Sequence, residues 1–360
     1  MRPPFPSFVV TVLVAALGLF ACEPKPDGDL LIAEGEHIDI YYEEAFDLCE
    51  GTIAASDRGI EFVAAQLGLD TADFEHLRYM WLSRARLDEK RTSSTENAAG
   101  WASGRTSYGG YAFFSHEITH SIAFERDDNS LPFLREGLAT AFDEPINGDG
   151  DNDGRLAPPG DPRPEFMSRN DEFSYDVAAG FVAYLLSRHG QERFWELYES
   201  VHSGSTESRL RRRFAAIYGL DLDAAVDDYL LGECPEDALP IPLPRSCGAE
   251  ELPWRTDGTW IYSKVVDCED EEVAGGINTT DPTETLFEAT VTVEVPQAGL
   301  YSFEHIRTGG FAILYRCGGC PWLNQYYFPG EVRLAAGRHS LRLQSWQPQV
   351  NTVSLARIGD

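Results

Sequence analysis

The segment Ser115-His116-Glu117-Ile118-Thr119-His120-Ser121 constrains this chain more than any other stretch. On an α-helix, residues four apart share a face and lie about one 5.4 Å turn from each other. His116 and His120 can then aim two imidazoles at one ion, the geometry of a zinc site. Glu117, beside the first of them, is placed to act as general base toward a water at that ion. The flanking residues are apolar: Tyr111, Phe113 and Phe114 before, Ile118, Ile122 and Phe124 within and after. The segment therefore reads as a buried helix, where two histidines and a glutamate without a partner would be costly. Satisfied core or surface histidines are the competing reading.

A zinc site needs a third protein ligand. Pro132 to Phe142 reads as a second helix and carries Glu136 within Glu136-Gly137-Leu138-Ala139. With this segment the chain resembles the gluzincin zinc metallopeptidases, whose His-Glu-x-x-His is followed by a helix that begins near a glutamate. The resemblance implies that His116, His120 and Glu136 bind zinc and that Glu117 is the base. It also implies that a strand beside the zinc cleft pairs with extended substrate, without saying which strand. A metzincin pattern would need Gly and His soon after His120, and Ser121 to Asn129 holds neither. Further on, Tyr175-x-x-Ala178-x-x-Phe181-Val182-x-Tyr184-Leu185, followed by Gly190-x-x-x-Phe194-Trp195, resembles the helical segment after the zinc site in that group. Members often place a Tyr or His there for the oxyanion, which implies Tyr175 in that role. The plain alternative makes Tyr175 and Tyr184 core aromatics. The resemblance covers roughly residues 35–230.

Residues 1–22 read as a targeting segment: Arg2 gives a positive start and Phe8 to Phe20 is an apolar run too short to span a bilayer comfortably. Its end, Leu19-Phe20-Ala21-Cys22, resembles a bacterial lipobox and marks Cys22 for lipidation; ordinary signal cleavage or an uncleaved anchor are the rivals. Export implies an oxidising compartment. Cys49, Cys234, Cys247, Cys268, Cys317 and Cys320 then remain, an even number that fits three disulfides. The expected pairs are Cys49–Cys234, Cys247–Cys268 and Cys317–Cys320. Cys317-Gly-Gly-Cys320 also admits a redox or metal reading, but it lies between strand-like runs rather than at a helix start. A net charge of −30 argues against nucleic acid and against anionic membranes as charge-driven partners.

Residues 23–34 read as a tether. His37–Tyr42 and Leu77–Leu82 read as strands and Thr52–Leu69 as an amphipathic helix. Asp88 to Gly110 is polar and reads as a long loop that borders the active site or is a solvated insertion. Asp149, Asp151, Asp153 and Gly154 match the first half of an EF-hand-type calcium loop, but the twelfth position is Gly160 rather than Glu. A calcium-stabilised loop and a plain acidic turn both remain open. Residues 173–231 read as a run of helices, with His189 and His202 on the surface.

Pro235, Pro240, Pro242 and Pro244 mark residues 234–247 as a linker. Beyond it the periodicity shifts to short alternating strands: 260–266, 289–295, 300–305, 311–315, 324–328, 332–334, 339–343 and 352–356. This pattern predicts a β-sandwich or jelly roll over 248–360. Trp322, Tyr326, Tyr327 and Trp346 are expected in its core, with an exposed binding face as the alternative. The sequence thus predicts an α+β chain. A small sheet with helices carries the zinc residues over 35–233, and an all-β unit follows. The expected activity is metal-assisted hydrolysis of a peptide or protein substrate, by an exported and lipid-anchored protein. The rival is a non-catalytic surface binding protein.

Overall fold

The computed structural model describes residues 30–42, 48–73, 76–90, 100–110, 115–127, 129–143, 160–168, 172–231, 245–275, 286–306, 310–317, 326–327 and 329–359. They form a mixed α+β chain with several sheets and eight α-helices. No helix among them is long and apolar enough to cross a membrane. Residues 1–22, with Cys22, and the acidic run at Asp149, Asp151 and Asp153 lie outside the described residues, as do Cys234, Cys320 and Trp322.

The first half is built on a five-stranded sheet. Its strands are β1 (Leu30–Glu34), β2 (Ile38–Tyr42), β3 (Leu77–Trp81), β4 (Gly100–Ser103) and β5 (Thr106–Gly109), in the order β1-β2-β3-β5-β4. Strands β2, β3 and β5 run parallel, while β1 and β4 are antiparallel edges. Helix α1 (Glu50–Gln66) makes the crossover from β2 to β3, as a parallel pair requires. Strand β2 alternates: Ile38, Ile40 and Tyr42 are buried and the residues between them only partly so. The inner side chains pack with Ile60 and Val63 of α1 and with Ile118 and Ile122 into one hydrophobic core.

Two expectations fail in this half. Residues 30–34 are a strand paired with β2, so the expected tether ends earlier. The polar stretch 88–110 is not one loop. It finishes a short helix, α2 (Arg84–Lys90), and then forms the β4–β5 hairpin. Gly104 explains the hairpin. It opens the turn between Ser103 and Thr106 with a φ of +61°, the left-handed conformation that a two-residue hairpin turn demands. Opposed Trp101 and Tyr108 stack at 4.8 Å across it.

Helices α3 (Ser115–Ala123), α4 (Pro132–Ala141), α5 (Tyr175–His189), α6 (Gln191–Ser200), α7 (Glu207–Tyr218) and α8 (Leu222–Leu230) follow. Local chemistry sets their ends. Pro132 occupies the first turn of α4, where its missing N–H costs nothing. The side chains of Ser174, Thr206 and Asp221 cap α5, α7 and α8. His189 is not a plain surface residue: it packs edge-on against Tyr218 at 4.9 Å, and burial, helped by Arg188 and Arg193, pulls its pKa down to about 4. His202 is partly exposed and lies 3.2 Å from Asp127.

The second half is a β-sandwich. One sheet holds β7 (Val273–Gly275), β8 (Phe287–Val295), β10 (Phe311–Arg316), β11 (Tyr326–Tyr327) and β13 (Gly337–Ser345), ordered β11-β10-β13-β8-β7. The other holds β6 (Thr259–Val266), β9 (Gly299–Ile306), β12 (Gly330–Leu334) and β14 (Gln349–Gly359), ordered β12-β9-β14-β6. Trp260, Tyr301, Phe303, Val353 and Leu355 from the second sheet meet Ala289, Val291, Leu314, Leu341 and Leu343 from the first in one core. Trp346 is exposed on the β13–β14 turn, not in that core.

The halves are joined at the start of α1. Cys49, its N-cap residue, is bonded to Cys268, and Cys247 is bonded to Cys317. The expected Cys49–Cys234, Cys247–Cys268 and Cys317–Cys320 pairs are therefore wrong. Helix α1 docks its N-terminus on the edge strand β7, which brings Cys49 to the segment after β6; the Cα atoms are 4.4 Å apart. Cys247 sits in a 3-10 turn beside β8 and β13, next to the end of β10. Thr52 adds two hydrogen bonds to the junction: it donates to the Gly275 carbonyl at 3.0 Å and accepts from the Gly275 N–H at 2.9 Å. Disulfides are the covalent chemistry of a chain that matures in an oxidising compartment, as an exported protein does.

Candidate metal centre

Helix α3 presents His116 and His120 from successive turns, and α4 presents Glu136 against them. His116 Nε2 and His120 Nε2 are 3.2 Å apart. Glu136 Oε2 lies 3.3 Å from the first and 3.1 Å from the second. Ligand atoms about 2.0–2.1 Å from a tetrahedral zinc stand about 3.3–3.4 Å from one another. The three residues therefore fit that ion. Two imidazole N–H groups donating to Glu136 Oε2 also satisfy these atoms, so it is the spacing, not an unmet hydrogen bond, that fits the ion. The other ring nitrogen of His116 faces Thr140 Oγ1 at 3.4 Å, an outer contact of the kind that orients a metal-binding imidazole.

The electrostatics separate the two glutamates. Burial alone would raise the pKa of Glu136, but His120 and His116 outweigh it and hold the carboxyl well below the usual carboxylate range. It is an anion ready to bind a cation. Glu117 goes the other way: burial pushes its pKa up to about 7, with Glu136 and Asp143 adding to the rise and His116 and Arg135 opposing it. A buried carboxyl beside two histidines, poised near neutrality, is what a general base requires.

The surroundings fix this geometry. Ser107 of β5 donates to the Glu117 carbonyl at 2.9 Å and lies 2.7 Å from Ser121 Oγ, so a fully buried hydroxyl pair ties α3 to the sheet. Ser115, the first residue of α3, donates to Asp143 at 2.5 Å. Next to Glu136, Gly137 lets α5 approach closely; a Cβ there would stand 2.7 Å from the Ala178 carbonyl oxygen. That approach brings Tyr175 to the site. Its ring is partly exposed, lies 6.0 Å from the His116 ring and stacks on Phe173 at 5.4 Å.

The structure thus brings His116, Glu117, His120, Glu136 and Tyr175 to one place. Sequence reading missed Arg135, Thr140, Asp143 and Ser107. Arg135 and Thr140 follow from α4, and Asp143 from the residues just after it, once α4 faces α3. Ser107 carries no local signal, since only tertiary packing sets it under α3. A second convergence of Glu36, His37 and Glu61 is exposed and lies between the β1–β2 turn and α1.

No family model matches the chain, and no curated protein matches it either. Among solved structures the chain is similar to PliG, a periplasmic lysozyme inhibitor of g-type lysozyme from Salmonella Typhimurium. The TM-score is 0.21 and the identity 12%, over 30% of this chain and 98% of that one.

Proposed function

We propose that this chain is an exported zinc-dependent hydrolase that cleaves peptide bonds in a peptide or protein substrate. The observation that carries the reading is the convergence of three ligand atoms within 3.1–3.3 Å beside a buried glutamate whose pKa is raised to about 7. His116, His120 and Glu136 are the metal-holding set. When bound there, zinc supplies a Lewis acid that acidifies water and polarises a carbonyl. Glu117 takes the proton released by the attacking water at its carboxylate and returns it to the leaving amine. Apolar packing around Glu117 keeps its carboxyl basic enough for the first transfer and acidic enough for the second. The Tyr175 hydroxyl is the donor for the developing oxyanion, its ring held by Phe173. Strand β4 is the sheet edge next to α3 and offers its free backbone groups to an extended peptide. Lipidation at Cys22 completes the reading as a membrane-anchored protein, and calcium binding at Asp149, Asp151 and Asp153 belongs to the same proposal.

The test is Glu117→Gln in residues 23–360, with zinc content and hydrolysis of a mixed peptide library read on the same samples. The variant should keep about one zinc per chain and lose about 10²–10⁴-fold in turnover. Full activity in the variant refutes Glu117 as the base. Zinc without cleavage by the unaltered protein favours the binding-protein reading, in which the sandwich carries the function.

A further inference from the structure

The two oxygens of Glu136 have different partners. Oε2 faces the histidines, while Oε1 accepts from both Nε and Nη2 of Arg135, each at 3.2 Å. Consecutive residues on a helix point about 100° apart and do not ordinarily meet. Arg135 therefore has to fold back across α4 to make this contact. Its side chain is 35% exposed while that of Glu136 is 13% exposed, so the guanidinium lies over the carboxylate from the solvent side. Among the described residues the guanidinium hydrogen-bonds to Glu136, and its charge reaches Glu117 as well.

A carboxylate beside a divalent ion can bind through one oxygen or both. Hard, oxygen-seeking ions often take both, whereas zinc in a catalytic site takes few ligands and keeps a position open. We propose that Arg135 is a positioning residue: by gripping Oε1 it holds Glu136 as a one-oxygen ligand, and so tunes the centre to a four-coordinate, zinc-type ion over manganese or calcium. The inference rests on the zinc reading above and adds a reason for the ion chosen. Arginine suits the task because its planar fork offers two N–H groups to one acceptor, which an ammonium cannot do in fixed geometry.

Arg135→Met and Arg135→Lys test it, with His116→Ala as reference. Zinc and manganese affinities are read by chelator competition, and the visible spectrum of the cobalt(II) form reports coordination number. Arg135→Met should bind zinc about 10–100-fold more weakly, as loss of an outer-shell partner does. Its preference for zinc over manganese should narrow, and its cobalt spectrum should move toward the weak bands of higher coordination. Arg135→Lys should recover only part of each. Unaltered affinity, preference and cobalt spectrum in Arg135→Met overturn the proposal while leaving the zinc site standing. An unaltered protein that binds no more zinc than His116→Ala overturns the zinc reading and this proposal with it. If Arg135→Met fails to fold, Arg135→Lys carries the test through the same readouts.

Discussion

The molecule buries two charged clusters, one in each half, and they are built on opposite principles. In the sandwich, Glu288 Oε2 accepts from Arg342 Nε at 2.9 Å, from Arg342 Nη2, and from Gln344 Nε2 at 2.5 Å. Arg342 also donates to the Tyr315 hydroxyl at 3.1 Å and lies over that ring. Both charged side chains are 2% exposed. They sit on the sheet face turned toward α1, where Glu288 and Thr290 share a cavity with Ala55 and Arg58. This network matches one negative charge with one positive charge and surrounds the carboxylate with donors. At the other cluster, two imidazole nitrogens and one carboxylate oxygen converge on one point. In the first the charges are paired, although Gln344 Oε1 finds no partner among the described residues; in the second the three atoms stand where one cation could take them all. Burial of charge is thus no sign of function by itself; ligand-type atoms converging at metal-ligand spacing are the sign.

Removing one member from each cluster should show this most strongly. Arg342→Met leaves Glu288 buried without its counter-charge and should cost about 3–5 kcal/mol in denaturant unfolding. Arg342→Met with Glu288→Met should recover most of that loss. In metal-free protein, His116→Ala removes one partner of Glu136 but leaves it His120 and Arg135, and should cost far less than Arg342→Met. A His116→Ala loss as large as that of Arg342→Met would mean that the His116–His120–Glu136 cluster is a structural network rather than a metal site.

The two halves should also respond to pH with opposite signs. Glu117 has a folded pKa raised by burial from 4.5 to about 7, so the fold favours its protonated form. In metal-free protein its contribution is fully present below 4.5 and is lost as pH rises through 7. His339 in the sandwich is buried, and its pKa is lowered by that burial from 6.5 to about 4, against an opposing hydrogen bond with the Gly337 carbonyl. Its contribution is present above 6.5 and is lost as pH falls through 4. Each amounts to about 3 kcal/mol at 1.36 kcal/mol per pKa unit. Denaturant midpoints of metal-free protein between pH 4 and 8 should therefore flatten at the alkaline side in Glu117→Gln and at the acid side in His339→Gln. Loss of the same limb in both variants would break the contrast.

Legibility in the sequence followed the range of the interaction. His116, Glu117 and His120 were readable because helix periodicity alone places them together, and Glu136 only through the resemblance to the gluzincins. Eight strands of the sandwich were readable from alternation. Strand β7 was not: it is three residues long, held by β8 on one side and by Thr52, far away in sequence, at its end. The β4–β5 hairpin was hidden by polar composition, although Gly104 between two four-residue runs was a usable turn signal. Cysteine pairing differs from the expected set because each disulfide follows packing around the sandwich rather than sequence proximity or the limits of one domain. The docking of α1 on the sandwich decides that pairing, and no local pattern encodes it. Arg135 was silent for the same reason, since its role appears only once α4 faces α3.

The smallest effect discriminates most finely between the halves. Ser107 and Thr52 are both buried hydroxyls that bridge a helix and a strand. Ser107 donates to the Glu117 carbonyl and so takes the Ser121 hydroxyl as a donor. Thr52 bonds both backbone groups of Gly275. Each loses two hydrogen bonds on truncation, so Ser107→Ala and Thr52→Val should each cost about 1–2 kcal/mol of stability. Their effects on function should differ. Ser107 sets the height of α3 over the sheet, and with it the position of Glu117, so its loss should lower turnover several-fold at unchanged zinc content. Thr52 acts at the far end of α1, on the sandwich, and its loss should leave turnover near that of the unaltered protein. Equal losses of turnover would mean that the sandwich, through α1, helps to hold the metal centre in register.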